Sequence, residues 1–161
     1  MKRYIALTVA LMTTTIAGLA QTSGNITIAG TVANSTTITV ASQPGYNSLP
    51  IDSGCVDQLV ANVTEKSNSK NGYTVTLNSL NAGSTAQAVL NGTAGNTDTV
   101  NYTMKYDGTA VTLASGSAVV TSSAVRTPGA GLVKGLSVTI PAVWVNTDTY
   151  SDTLTLTIAA L

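Results

Sequence analysis

The chain has 161 residues, a formal net charge of zero and only 9% charged residues. It contains no histidine, so it lacks the commonest general base and the commonest metal ligand. This composition argues against most enzymes and against a nucleic-acid-binding surface, and we expect no catalytic, cofactor or metal site.

The N-terminus has the three parts of a secretory signal peptide. Lys2 and Arg3 precede an apolar run over residues 5–12, and a stretch of small residues ends at Ala20. The run is too short to span a bilayer as a helix, which needs about 20 apolar residues. We therefore predict a signal peptide over residues 1–20 and an exported mature chain that fits one domain.

The mature chain begins with an alternating segment, NITIAGTV. Ile26, Ile28 and Val32 fall on every second residue, and Gly30 takes the remaining position of the same parity. This period is typical of a strand with one buried face. The segment is either a strand of the protein's own sheet or a strand offered to another molecule.

Alternating segments then follow one another along the chain. They cover residues 58–65, 72–78, 99–106, 135–145 and 149–161. None has a helical period, and turn residues separate them, so we predict eight to ten short strands in an all-β sandwich. Residues 84–98 and 114–123 are the least regular.

Turn chemistry places several of the boundaries. Asn71-Gly72 predicts a tight turn, and Asp107-Gly108 predicts a hairpin of residues 99–106 with 109–114. Pro141 marks an edge or a bend, because proline donates no hydrogen bond to a sheet.

The closing segment, TYSDTLTLTIAAL, has the longest regular alternation in the chain. The apolar side chains that share one parity are Tyr150, Leu154, Leu156, Ile158 and Ala160. The pattern predicts one long strand that reaches the last residue.

Three groups of side chains have both a chemical and a structural interpretation. Residues 52–54 read Asp-Ser-Gly, as in aspartic proteases, but no second copy supplies a partner carboxylate, and we interpret them as a turn. Asp148 and Asp152, with Asn146, offer oxygen ligands for calcium, but turn chemistry before the final strand explains them. Cys55 is the only cysteine, and we interpret it as a small buried hydrophobic residue rather than a reactive thiol.

The two chain ends together resemble subunits of chaperone–usher pili. The points of resemblance are NITIAGTV (25–32), NGYTVTLNS (71–79), VNYTMKYDG (100–108) and DTYSDTLTLTIAAL (148–161). The closing motif is most similar to the non-classical branch of spore coat protein U-like and related fimbrial subunits. Classical members carry a cysteine pair and an aromatic residue near the C-terminus, and this chain has neither.

The resemblance implies an immunoglobulin-like β-sandwich that lacks one strand and is open along one edge. Residues 21–33 would form the N-terminal extension, and residues 34–161 would form the sandwich. The donor residues would be Ile26, Ile28, Gly30 and Val32. The C-terminal strand would be an edge strand that presents Leu154, Leu156 and Ile158 to the groove or to the chaperone.

The resemblance also implies the partners. A periplasmic chaperone covers the groove first, and the extension of the next subunit replaces it at an outer-membrane usher. The product would be a surface fimbria that supports adhesion or biofilm formation. The alternative is a self-contained secreted β-sandwich, an adhesin or binding module, in which residues 25–32 pair within their own sheet.

Overall fold

The computed structural model describes residues 23–161, so the predicted signal peptide lies outside the described residues. The compact domain covers Ala33–Leu161, and the described residues before it, 23–32, belong to a separate unit. The described part of the domain contains ten strands: β1 (Thr36–Ser42), β2 (Cys55–Ser67), β3 (Tyr73–Ser79), β4 (Ala88–Gly92), β5 (Thr99–Tyr106), β6 (Thr109–Ala110), β7 (Ser117–Ser123), β8 (Leu132–Ile140), β9 (Tyr150–Ser151) and β10 (Leu154–Ala160). Over residues 23–161, we find no helix with the length and apolar character needed to cross a membrane.

The strands form two antiparallel sheets in a sandwich-like all-β fold, which confirms the predicted fold class. The larger sheet has the order β1-β2-β8-β5-β4-β9, with β6 paired to β5, and the smaller sheet has the order β10-β3-β7. Apolar side chains from both sheets form the core, including Val63, Leu77, Val100, Tyr106 and Leu136. β1 and β10 are therefore edge strands of different sheets.

Glycine and aspartate build the tight turns that the sequence predicts. Gly72 has a φ of +94°, and a Cβ at this position would collide with the carbonyl of Ser123. Asp107 and Gly108 have φ values of 51° and 77°, the positive values that a two-residue hairpin turn requires. β8 ends at Ile140, directly before Pro141.

The predicted closing strand is wrong in one respect, because it divides into β9 and β10. β9 pairs with β4 in the larger sheet, whereas β10 pairs with β3 in the smaller one. Between them, Asp152 accepts hydrogen bonds from the hydroxyls of Ser79 and Tyr102, each 2.6 Å long. These bonds hold the chain where it changes sheet.

The predicted hairpin arm over residues 109–114 is also shorter than expected. Thr109 and Ala110 pair with β5, and the N–H of Val111 donates one further bond to the carbonyl of Met104 over 2.9 Å. The arm then leaves the sheet, and Leu113 turns into the core, where it is 3% exposed. Burial of this leucine competes with continued strand pairing.

Candidate functional site

An apolar groove opens between the edge strands β1 and β10. β1 pairs only with β2, and β10 pairs only with β3, among the described residues. The cavity between the two edges has a volume of about 290 Å³, and most of its lining is apolar, including Val40, Val60, Leu136, Val138, Leu154 and Leu156. Two unpaired backbone edges therefore flank one apolar cavity.

The wall formed by β10 alternates as the sequence predicts. Leu154, Leu156 and Ile158 are half-buried, and the intervening threonines are exposed. Leu154 and Leu156 line the cavity, whereas Ile158 lies farther along the same strand. All three side chains share the face of β10 that packs toward the interior.

The wall formed by β1 contains an apolar side chain that the fold leaves uncovered. Val40 lines the cavity and yet is 49% exposed, whereas Ile38 on the same face is half-buried. The opposite face of β1 carries the exposed threonines Thr37 and Thr39. Val40 thus has apolar neighbours on one side only.

A polar cluster lies at one end of the groove. Asp152 and Tyr102 both line the cavity, and their side chains are hydrogen-bonded to each other. Burial, and then this bond to Asp152, raises the pKa of Tyr102 well above its usual value. Asp152 also accepts the backbone N–H of Asn81 over 3.0 Å. Its carboxylate oxygens therefore hold the loop that follows β3.

The other carboxylate weighed as a calcium ligand also holds a loop. Asp148 accepts the backbone N–H groups of Ala94 and Thr149, at 3.1 and 2.7 Å. The bond from Ala94 is the main cause that lowers the pKa of Asp148. In the part of the chain that the structure describes, no three histidine, cysteine or acidic residues group as metal ligands.

The groove is narrower than a fully inserted strand requires. In places, Cα atoms of β1 and β10 lie within 8 Å of each other. Two neighbouring strand spacings add up to about 9.6 Å. A strand that pairs with both edges must therefore move them apart by at least about 1.6 Å at these points.

The N-terminal segment NITIAGTV belongs to no sheet in this structure. Its apolar residues are almost fully exposed, with Ile26 at 89%, Ile28 at 93% and Val32 at 89%. A Cβ placed on Gly30 would meet nothing within 4 Å. The chain itself therefore imposes no size limit at Gly30.

Asn68 fixes the point at which the N-terminal segment joins the domain. Its side chain donates to the carbonyl of Ala33 over 2.8 Å and accepts the N–H of Ser35 over 2.7 Å. Its backbone N–H donates to the carbonyl of Ser35 over 3.0 Å. The segment therefore leaves the domain beside the turn between β2 and β3.

Sequence reasoning missed a buried charged group between the two sheets. Glu65 is fully buried and accepts hydroxyl hydrogen bonds from Tyr73 at 2.9 Å, Tyr106 at 2.7 Å and Thr121 at 2.7 Å. Lys134 lies 3.4 Å from the same carboxylate. The signal was present, because Glu65 shares its parity in β2 with the buried residues Ala61 and Val63.

The remaining candidates have structural roles. Gly54 closes the Asp-Ser-Gly turn with a φ of +71°, and a Cβ there would lie 2.6 Å from the backbone nitrogen of Ala142. Cys55 is half-buried rather than fully buried, because it begins β2 opposite Ile140 at the margin of the core.

No protein-family model matches the chain, and a search of the curated proteins finds no relative. The resemblance to pilus subunits therefore rests on the sequence motifs quoted above. The groove and the unpaired N-terminal segment are separate observations that do not depend on those motifs.

Proposed function

We propose that the protein is a structural, non-enzymatic subunit of a surface fimbria. In this proposal, residues 25–32 of one copy fill the groove between β1 and β10 of the next copy. A single observation carries it: the chain has both an unpaired segment with apolar residues on one face and an unpaired apolar groove. The segment has backbone and apolar side chains without a partner strand, and the groove has unpaired strand edges and uncovered apolar side chains.

The lengths of the segment and of the groove are compatible. β10 has seven residues, and the N-terminal segment has eight, so at about 3.3 Å per residue both are about 23–26 Å long. A strand added to an exposed edge gains backbone hydrogen bonds, and its alternate side chains enter pockets that fix the register. Ile26, Ile28 and Val32 supply that alternation, and Gly30 supplies the small residue at the remaining position.

The link between subunits persists for kinetic as well as for equilibrium reasons. Burying Ile26, Ile28 and Val32 contributes roughly 5–9 kcal/mol, at about 1.5–3 kcal/mol for each side chain. Backbone hydrogen bonds add on the order of 1 kcal/mol each, and association costs about 4–15 kcal/mol. Since the terms nearly balance, slow withdrawal of the strand contributes as much to persistence as the equilibrium does.

The proposed assembly pathway follows the resemblance. The signal peptide directs the chain to the periplasm, where a chaperone covers the groove, and an outer-membrane usher replaces the chaperone with the next subunit. The assembled fimbria lies at the cell surface and supports adhesion or biofilm formation. The competing proposal is a self-contained secreted adhesin that works as a monomer.

Truncation distinguishes the two proposals. The mature chain is prepared with and without residues 21–33, concentrated, and run on SDS gels with and without heating. A fimbrial subunit gives a ladder of SDS-resistant oligomers that heating dissociates into monomers. The ladder disappears with the truncation. A full-length chain that remains monomeric, together with a truncated chain that unfolds, contradicts the proposal.

Point variants in the segment supply a matched control. Ile28→Asp puts a charge on the apolar face and abolishes the ladders, whereas Thr27→Asp puts the same charge on the other face and leaves them. Both positions are exposed, so both variants keep the fold. Equal ladders from the two variants contradict insertion with the proposed face inward.

A further inference from the structure

Exposed positive charges lie at the end of the domain that the N-terminal segment joins. Lys66, Lys70 and Arg126 are all exposed, and Lys66 and Arg126 line one polar cavity of about 620 Å³ with Asn68. In the described residues, the only ion pairs are those of Lys105 and Lys134, so these three charges face no carboxylate within 4.0 Å. A terminal carboxylate on Leu161 would lower the charge of this end by one and leave it positive.

The opposite end of the domain is acidic. β2 has 13 residues and is therefore about 40 Å long, with Lys66 near one end and Asp52 just before the other. Asp98 precedes β5 at the acidic end, and Asp148 bonds the loop that follows β4. Lys105, the nearest cation, is already paired with Asp57 over 2.7 Å.

The proposed strand exchange brings these two ends together. Only residues 33–35 separate Val32 from the start of β1, a span of about 13 Å when extended. When the segment runs antiparallel to β10, Val32 reaches the acceptor beside Leu154, at its acidic end. The basic end of the donor copy then lies over the acidic end of the acceptor copy.

We propose that this contact is electrostatic and that it steers assembly. The inference rests on the proposed function, and the partner is a second copy of this chain. The positive charges Lys66, Lys70 and Arg126 of one copy face the negative charges Asp52, Asp98 and Asp148 of the next. Exposed charges add little to affinity but raise association rates, and salt screens them over about 8–10 Å.

Assembly kinetics test this inference. The mature chain is unfolded in urea, which adds no ionic strength, and diluted into buffer with about 20 mM or about 300 mM NaCl, and ladder formation is followed over time. Wild-type chain assembles about tenfold faster at the lower salt concentration. Lys66→Gln/Lys70→Gln/Arg126→Gln assembles slowly at both concentrations and forms ladders of unchanged heat stability.

The matched control changes the net charge equally at another place. Thr109→Glu/Ala110→Glu/Thr112→Glu adds three negative charges, so it lowers the net charge by the same three units, at exposed positions in and beside β6. This control retains the salt dependence. A wild-type rate that salt leaves unchanged, or a basic-end variant as fast as the control, overturns the inference while ladders still form. Absence of ladders from wild-type chain overturns the proposed function itself.

Discussion

The phenol of Tyr106 donates a 2.7 Å hydrogen bond to Glu65, and both side chains are buried between the two sheets. Tyr73, Thr121 and Lys134 contact the same carboxylate. The carboxylate therefore fastens the smaller sheet, through β3 and β7, to the larger one. All four side chains are held by the single carboxylate of Glu65.

Removal of this carboxylate lowers the stability of the domain. Glu65→Ala leaves the hydroxyls of Tyr73, Tyr106 and Thr121 without their acceptor and the Lys134 ammonium without its counter-charge. Loss of one partner of a buried pair costs about 3–5 kcal/mol. Glu65→Gln keeps the shape and one acceptor oxygen, so its loss is smaller. Urea unfolding measures the difference, with the exposed Lys66→Ala as control. A Glu65→Ala loss no larger than that of the control contradicts the role of the cluster.

Tyrosine ionisation makes the fold sensitive to alkaline pH. Burial, followed by the bond to Glu65, raises the pKa of Tyr73 to about 12, against about 10 in an unfolded chain. The folded state therefore holds this proton more tightly than the unfolded state does. Its contribution to stability is complete below about pH 10 and is lost as the pH rises toward 12.

The alkaline loss is measured as the free energy of unfolding at a series of pH values from about 9 to 12. Tyr73→Phe removes the ionisable group, so its stability falls less steeply with pH than that of the wild-type chain. Tyr46→Phe, at a side chain that is 51% exposed, is the matched control. An equally steep fall in Tyr73→Phe and wild type contradicts the assignment.

Gly30 tests whether the partner's groove sets a size limit. Gly30→Leu leaves the monomer unchanged, because no atom lies within 4 Å of a Cβ at this position. Ladder formation is nevertheless slowed about 5- to 150-fold, since a large side chain in a close-packed site costs about 1–3 kcal/mol. The control is Ala29→Leu, on the other face of the segment. Normal assembly of Gly30→Leu would contradict this prediction, because it would show that the groove does not limit side-chain size at this position.

Val40 tests the acceptor side of the same contact. Val40→Asp puts a charge into the groove at a position that is already 49% exposed, so the monomer folds. In the proposed strand exchange, the charge is buried only when a donor strand arrives, and unpaired burial is costly. We therefore expect the variant to fail as an acceptor. Thr39→Asp, on the outer face of β1, assembles normally. Each variant is mixed with wild-type chain, and the masses of the oligomers show whether the variant has accepted a donor strand.

Local patterns predict much of the fold. Alternation in β3, β5 and β8 places their buried residues correctly, and β5 covers the predicted residues 99–106. In β2 the alternation places Ala61 and Val63 correctly but not Leu59, which is 37% exposed beside a shift of the strand register. The turns at Gly72 and Gly108 follow from residue type, because glycine adopts positive φ without strain. These features depend only on neighbours in sequence.

Features that depend on distant residues are predicted less well. The break between β9 and β10 arises because Asp152 bonds Ser79 and Tyr102, which lie far away in sequence. Burial of Glu65 likewise depends on Tyr106 and Lys134 from other strands. An alternation pattern contains neither kind of partner.

The candidate site divides in the same way. The apolar parity of the N-terminal segment and of Leu154, Leu156 and Ile158 is legible in the sequence. That β1 and β10 are edges, and that Val40 completes the groove, follows from strand order, which long-range pairing decides.

Site-specific cross-linking between two different chains tests the central claim most directly. In a Cys55→Ser background, one chain carries Ile28→Cys and another carries Leu156→Cys, and the two are co-assembled and treated with a short bismaleimide. Because each chain has one thiol, a covalent product that contains both can form only between copies. Thr27→Cys replaces Ile28→Cys in the control, because it places the thiol on the other face.

The account predicts a covalent heterodimer for the Ile28→Cys and Leu156→Cys pair, and much less product for the Thr27→Cys control. A chain that carries both Ile28→Cys and Leu156→Cys and closes only on itself, with no heterodimer from the mixed chains, would contradict the account. The segment would then fill the groove of its own domain.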